Sequence, residues 1–251
     1  MAGREARGGP PPEGRVFLTA QWRHVAMLNF EIEPAVLRPF VPAGTELDSW
    51  RGRTFVSVVG FLFLDTRVLG VAIPYHQDFE EVNLRFYVRR HAGDQWRRGV
   101  VFVKEIVPRA AIALTARWLY GENYVALRMR HDIQGGQAGG RLSYSWWLRG
   151  RENRLAMSVA GDPHEISDGS EEEFITEHYW GYARQGEHQT REYRVEHPRW
   201  RVTSAASAQL GCDVAELYGP QFVDCLTRPP ASAFLAEGSD VTVYRGVPVT
   251  R

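Results

Sequence analysis

The sequence is almost without lysine: Lys104 stands alone against 29 arginines. Arginine does not deprotonate in proteins, so an amine nucleophile from a side chain of this protein has to be Lys104. Cysteine is also scarce. Cys212 and Cys225 are too few for a disulfide scaffold and match no metal or redox spacing, which makes a reducing cytoplasm the simplest setting. Charge of one sign is not in excess, with 30 basic and 30 acidic residues, so no overall field draws in a polyanion and nucleic acid is a poor partner. No apolar run approaches the ~20 residues of a membrane-spanning helix. The longest mostly apolar stretch, Phe55 to Leu64, reads instead as a buried strand, and no membrane role is expected. Met1 to Gly14 holds glycine, arginine and Pro10 to Pro12 without the apolar core of a signal peptide, and reads as a mobile tail before one domain spanning 15–251. The eight histidines show no HxH or HExxH spacing, Gly135 to Gly140 lacks a phosphate-loop lysine, and no serine sits in a nucleophile elbow. The expectation is therefore no metal and no bound cofactor.

What remains is ordinary globular composition, 44% apolar and 24% charged, with strand signals outnumbering helix signals. Phe55 to Leu64 is nearly continuous Val, Phe and Leu, the pattern of a strand covered on both faces. In Glu81 to Arg89, Val82, Leu84, Phe86 and Val88 alternate with Glu81, Asn83, Arg85 and Tyr87, the clearest period-two segment of the chain. Gly93 and Asp94 turn it into a second strand, Gly99 to Val107. Helical composition follows over Ala110 to Leu119, further strands over Val125 to Met129, Leu142 to Leu148 and Leu155 to Val159, and a helix carrying Phe174, Ile175 and His178 begins at the Ser170/Glu173 capping box. Short strands at Tyr193, Trp200 and Val241 and a brief helix around Asp213 to Tyr218 complete the pattern. The fold class is α+β: a mainly antiparallel curved sheet closing into a cone-like β-barrel, with two or three helices packed on it.

Chemistry concentrates in Val100 to Arg109. Regular alternation puts Lys104 on one face with Phe102 and Ile106, and Glu105 on the other with Val103 and Val107. Each charge is embedded in an apolar face, where burial demands a partner or a shifted pKa, and a sunken lysine is suited to Schiff-base chemistry. The alternative is a strand-end lysine reaching water past apolar neighbours. The polar face of Glu81, Asn83, Arg85 and Tyr87 can line a cavity, although a solvated outer face gives the same pattern. Arg117, Tyr120, Glu122, Asn123 and Tyr124 add hydroxyls that can orient a small ligand, and His178 to Tyr182 can cover a pocket mouth.

Gln21 to His24, Phe40 to Pro42, Glu81 to Arg85, Lys104 to Arg109, Phe174 to Tyr179 and Glu237 to Ser239, in this order and spacing, resemble the YqjF-like bacterial family of unknown function. That family is similar in fold to acetoacetate decarboxylase. The resemblance implies a cone-shaped antiparallel barrel around an apolar pocket, a lysine that attacks an oxo-acid carbonyl, glutamate and arginine to hold the substrate, and possible homo-oligomers. The enzyme's order is Glu, spacer, Pro, Lys. Here it is Glu105, Ile106, Val107, Pro108, Arg109, with a shorter spacer, so Arg109 takes the nucleophile's place and Lys104 lies on the far side of the glutamate. The reading is a barrel that binds a small carbonyl or carboxylate ligand. Its possible activity is that of a lyase or hydratase on an oxo acid, with Lys104 as amine nucleophile and Glu105 as proton shuttle. Arg85, Glu81, Asn83, Arg109 and Tyr120 hold the substrate. The rivals are a non-catalytic carrier or sensor, and an interaction protein using its arginines and eight tryptophans.

Overall fold

A computed structural model describes residues 14–108, 123–136, 138–186 and 188–249. In chain order the strands are β1 (Val16–Glu31), β2 (Glu46–Leu47), β3 (Phe55–Val68), β4 (Val71–Ala72), β5 (Phe79–Ala92), β6 (Gln95–Val107), β7 (Tyr124–Ala126) and β8 (Arg128–Gly136). They continue as β9 (Gly139–Leu148), β10 (Arg151–Ala160), β11 (His164–Glu165), β12 (Trp180–Arg184), β13 (Thr190–Glu196), β14 (Arg201–Gly211), β15 (Ser232–Tyr244) and β16 (Val247–Pro248). The hairpin expected around Gly93 is present as β5 and β6, paired antiparallel from Ala92↔Gln95 to Val82↔Ile106. The α-helices are short: Pro34–Leu37, Glu171–Thr176, Val214–Leu217 and Val223–Leu226 among the described residues. The helix expected over Ala110 to Leu119 lies outside the described residues.

Seven strands, β13-β12-β6-β5-β3-β1-β15, form a ring closed by pairing of Val195 with Val243 and Glu196 with Thr242. The curved sheet closes on itself as expected, though not as a clean barrel, because it does not stop at the ring. It continues from β15 through β14, β10, β9 and β8 as a wing. The wing packs on the ring's outer face. Tyr144 and Trp146 of β9 and Leu155 and Met157 of β10 share one apolar cluster with Val56 and Val58 of β3 and Val82, Leu84 and Phe86 of β5. At Gly60 the approach is so close that a Cβ would stand 2.5 Å from the Tyr144 ring, which is why β3 carries a glycine in the middle of its Val and Phe run. A second cluster, with Met27, Val59, Phe61, Phe63 and Phe79, occupies the inside of the ring. Two cores, one on each side of the same sheet, explain why Phe55 to Leu64 is apolar at nearly every position.

The two faces of β5 are therefore both covered. Its apolar set meets the wing, and Glu81, Asn83 and Arg85 point into the ring rather than to solvent. The helix at Glu171 starts as its capping box predicts, with the Ser170 hydroxyl accepting from the Glu173 amide at 3.1 Å. It ends at Thr176, sooner than the sequence pattern suggests. His178 consequently lies in the extended link to β12, off the helix.

Candidate functional site

Inside the ring is a cavity of about 210 Å³. Its polar wall comes from β5, β6 and β7: Glu81, Asn83, Arg85, Glu105 and Tyr124 line it, joined from the other side by His178 and His197. Lys104 does not line it.

A β-bulge produces this arrangement. Leu84 pairs with Lys104 and Arg85 with Phe102, so Val103 has no cross-strand partner on β5. Asn123 clasps the irregularity: its side-chain amide donates to the Val103 carbonyl at 3.0 Å, and its carbonyl accepts from the Glu105 amide at 3.1 Å. The bulge overturns the alternation read from the sequence. Phe102 and Glu105 both face the cavity, whereas Val103 and Ile106 pack into the core beneath the wing. Lys104, half-buried, lies opposite Leu84 of that outer core, and directly opposed residues share a face of the sheet. The chain's single lysine thus stands on the other side of the sheet from the hollow. Arg109 and Tyr120 lie outside the described residues.

Glu81 and Glu105 are each 2% exposed. Burial pushes the Glu81 carboxyl up to about 7, against the opposing pull of the Asn83 amide, which donates to Glu81 Oε1 at 2.9 Å, and of Arg85. A carboxyl poised there is half protonated at neutral pH, the state suited to passing a proton in either direction. Asn83 sits directly across from Glu105 in the ladder. The Tyr124 hydroxyl hydrogen-bonds to Glu105, and burial, followed by the charges of Glu105 and Glu81, holds its own pKa well above the usual phenol value.

Arg85 donates from Nη2 to the Ile175 carbonyl at 3.1 Å, while its buried Nε–H has no partner among the described residues. The helix that ends at Thr176 thus anchors one arm of the guanidinium and leaves another donor for a ligand. Asn83 Oδ1 is likewise buried and unsatisfied. Burial and then the Arg98 and Arg85 charges hold His178 well below the ordinary imidazole range. The Ile175 carbonyl opposes this without closing a hydrogen bond of good geometry, so neither ring nitrogen is satisfied. The ring rests on Tyr87, centroids 4.8 Å apart. His197, also held low by burial, meets the Pro198 carbonyl at 2.9 Å through Nδ1. Unpaired buried polar atoms are rare in native folds, and here Asn83, Arg85 and His178 carry them around one hollow.

Of the residues expected to form the site, Glu105, Glu81, Asn83 and Arg85 come together. Tyr124 and His178, offered by the sequence as a ligand-orienting hydroxyl and a pocket-mouth residue, also line the cavity, and sequence reasoning missed His197. Aromatic neighbours, Tyr179 and Trp180 beside His178 and Trp200 near His197, are the only local hint that these rings belong to an enclosed wall. Among the described residues no three His, Cys, Asp or Glu side chains are grouped to hold a metal ion.

The sequence profile of DUF2071, described as an uncharacterised conserved protein, matches residues 19–240. The chain belongs to this family. The uncharacterised protein YqjF of Bacillus subtilis (strain 168) is 26% identical over 125 residues, covering 49% of this chain and 50% of that protein, so the chain spans about half the length of this curated relative. Solved structures share the fold at lower identity. MppR, an enduracididine biosynthesis enzyme complexed with the condensation product of pyruvate and imidazole 4-carboxaldehyde, is similar with a TM-score of 0.67 at 13% identity, over 95% of this chain and 90% of that one. Acetoacetate decarboxylase from Legionella pneumophila gives a TM-score of 0.65 at 12% identity, over 100% and 98% of the two chains. An acetoacetate decarboxylase-like enzyme from Sphingomonas wittichii RW1 gives 0.63 at 15%, over 99% of both. At these identities the likeness is one of fold, and this DUF2071 chain has the acetoacetate decarboxylase-like architecture. No helix among the described residues is long and apolar enough to cross a membrane.

Proposed function

We propose that the ring cavity binds a small oxo or carboxylic acid and moves a proton at the carbon beside its carbonyl, as in hydration or dehydration, without a Schiff base. The observation that carries this is the convergence of Glu81, Asn83, Glu105 and Arg85 on one hollow from which Lys104 is turned away. In this reading the free Nε–H of Arg85 holds the ligand's carboxylate and the Asn83 side chain orients it. Glu105 accepts the proton from carbon. Where the acid carries a hydroxyl on the adjacent carbon, the C–H electron pair becomes the new C=C bond, the C–O bond breaks, and neutral Glu81 delivers a proton to the departing hydroxyl, which leaves as water. MppR was crystallised with pyruvate and with a pyruvate condensation product, which supports an oxo acid as the first ligand class to try.

The test is proton exchange. A panel of 2-oxo and 3-oxo acids incubated with the protein in D2O, followed by proton NMR, is expected to show enzyme-dependent loss of the C–H signal beside the carbonyl for at least one member. Glu105→Gln, which removes the base, should abolish it. Binding without exchange would assign the cavity to a carrier or sensor, and neither binding nor exchange across the panel would refute the reading.

A further inference from the structure

The cavity is divided by chemistry. The acids and Arg85 stand on β5 and β6, whereas β1, β3 and the link between β13 and β14 bring an aromatic cluster to the cavity wall. The Trp22 ring lies 5.3 Å from Phe61, 6.0 Å from Phe63 and 6.2 Å from Trp200, each in an edge-on arrangement. His197 stacks on Trp200 at 4.4 Å with 23° between planes. Rings offering edges and faces to a hollow favour another ring within it over a saturated chain, because edge-to-face and offset contacts add to simple area burial.

Two buried polar atoms interrupt that aromatic wall. Trp22 Nε1 and Thr66 Oγ1 have no hydrogen-bond partner among the described residues, and both side chains line the cavity. They belong to β1 and β3, whereas the acids stand on β5 and β6. One is a donor only and the other can donate or accept, a pair that suits an oxygen or nitrogen on the guest. Size agrees. A dry cavity of about 150 Å³ is enough for benzene. The roughly 60 Å³ left from 210 Å³ equals about two water volumes, which is room for a carboxyl or oxo arm.

Resting on the proposed oxo-acid reading, we infer that the ligand is an aromatic oxo or carboxylic acid whose ring carries a hydrogen-bonding substituent, held by Trp22 Nε1 and Thr66 Oγ1 while the acid arm meets Arg85. The arrangement separates specificity from chemistry: β1 and β3 select the ring, and β5 and β6 act on the arm.

The experiment is calorimetric titration of the full chain with pyruvate, phenylpyruvate and 4-hydroxyphenylpyruvate, repeated on Thr66→Val and Trp22→Phe. Phenylpyruvate is expected to bind at least about tenfold more tightly than pyruvate, and the hydroxylated ring about fivefold more tightly again. Thr66→Val, which keeps shape and removes only the hydroxyl, should erase most of the second step while leaving phenylpyruvate affinity within about threefold. Trp22→Phe should erase the second step as well, with near-ultraviolet circular dichroism reporting that the ring is intact. Pyruvate binding as tightly as phenylpyruvate, or a hydroxyl preference untouched in both variants, would overturn the inference and leave the oxo-acid reading standing. Failure of all three probes to bind would overturn both.

Discussion

Replacing Glu81 by glutamine should stabilise this protein at alkaline pH and hardly affect it in acid. The carboxyl ordinarily titrates at 4.5 and is lifted to about 7, chiefly by burial. Below pH 4.5 both folded and unfolded chains hold the proton and there is no penalty. Between 4.5 and 7 the unfolded chain releases it while the folded chain keeps it, so stability falls as pH rises, and above 7 the full cost of about 3 kcal/mol is present, at ~1.4 kcal/mol for each tenfold. Glutamine avoids ionisation and still offers Oε1 to the Asn83 amide, the 2.9 Å hydrogen bond of the native side chain. For a chain of this size 1 kcal/mol moves the melting temperature by roughly 2–4 °C. Thermal melts followed by circular dichroism should therefore place Glu81→Gln about 6–12 °C above wild type at pH 8, and within about 2 °C at pH 4.5. An equal shift at both pH values, or a variant less stable than wild type at pH 8, would refute the account of a carboxyl buried at a cost for its chemistry.

His178 works in the opposite sense. Its lowered pKa means that the unfolded chain gains a proton below 6.5 that the folded chain refuses, so stability is lost as pH falls; His178→Phe should lessen the drop between pH 7.5 and 5.5 by about 1 kcal/mol in urea unfolding, and an unchanged drop would remove the histidine from the buried wall. Tyr144→Phe deletes the 2.8 Å hydrogen bond to the His24 carbonyl, which ties the wing to a residue held at φ 54°, and should cost about 1–2 kcal/mol in the same assay. Gly238 has φ 74°, and a Cβ there would stand 2.1 Å from the Trp22 carbonyl oxygen, so Gly238→Ala should yield little folded protein; wild-type melting would show that β1 and β15 are not so tightly paired. Borohydride reduction in the presence of pyruvate should leave Lys104 unmodified in peptide mass spectrometry, and an adduct there would restore an amine mechanism.

The parts of the fold set by neighbouring residues were legible, and those set by distant ones were not. Period-two alternation identified β5 and its polar face, and the Gly93 turn identified the hairpin. The same alternation failed one strand later, because the Val103 bulge depends on a clasp by Asn123, 20 residues away. Glu105 therefore enters the cavity together with Phe102, an arrangement regular pleating forbids. Closing the ring takes the parallel pairing of Trp180 with Gly99 and the contact of β13 with β15, neither of which has a turn or a local pattern to announce it. Whether the polar face of β5 met water or a hollow was equally undecidable locally: alternation reports two unlike faces, and only the wing covering Val82, Leu84 and Phe86 turns the polar one inward.

Glu105 lines the cavity and Lys104 does not, and the proposed reading makes ligand binding depend on the first alone. Calorimetric titration of phenylpyruvate against Lys104→Met and Glu105→Gln measures it most directly. Affinity in Lys104→Met should stay within about twofold of wild type, whereas Glu105→Gln, with its buried hydrogen bond to Tyr124 altered and its charge removed, should change affinity about tenfold or more. Loss of binding in Lys104→Met with Glu105→Gln unaffected would contradict the account.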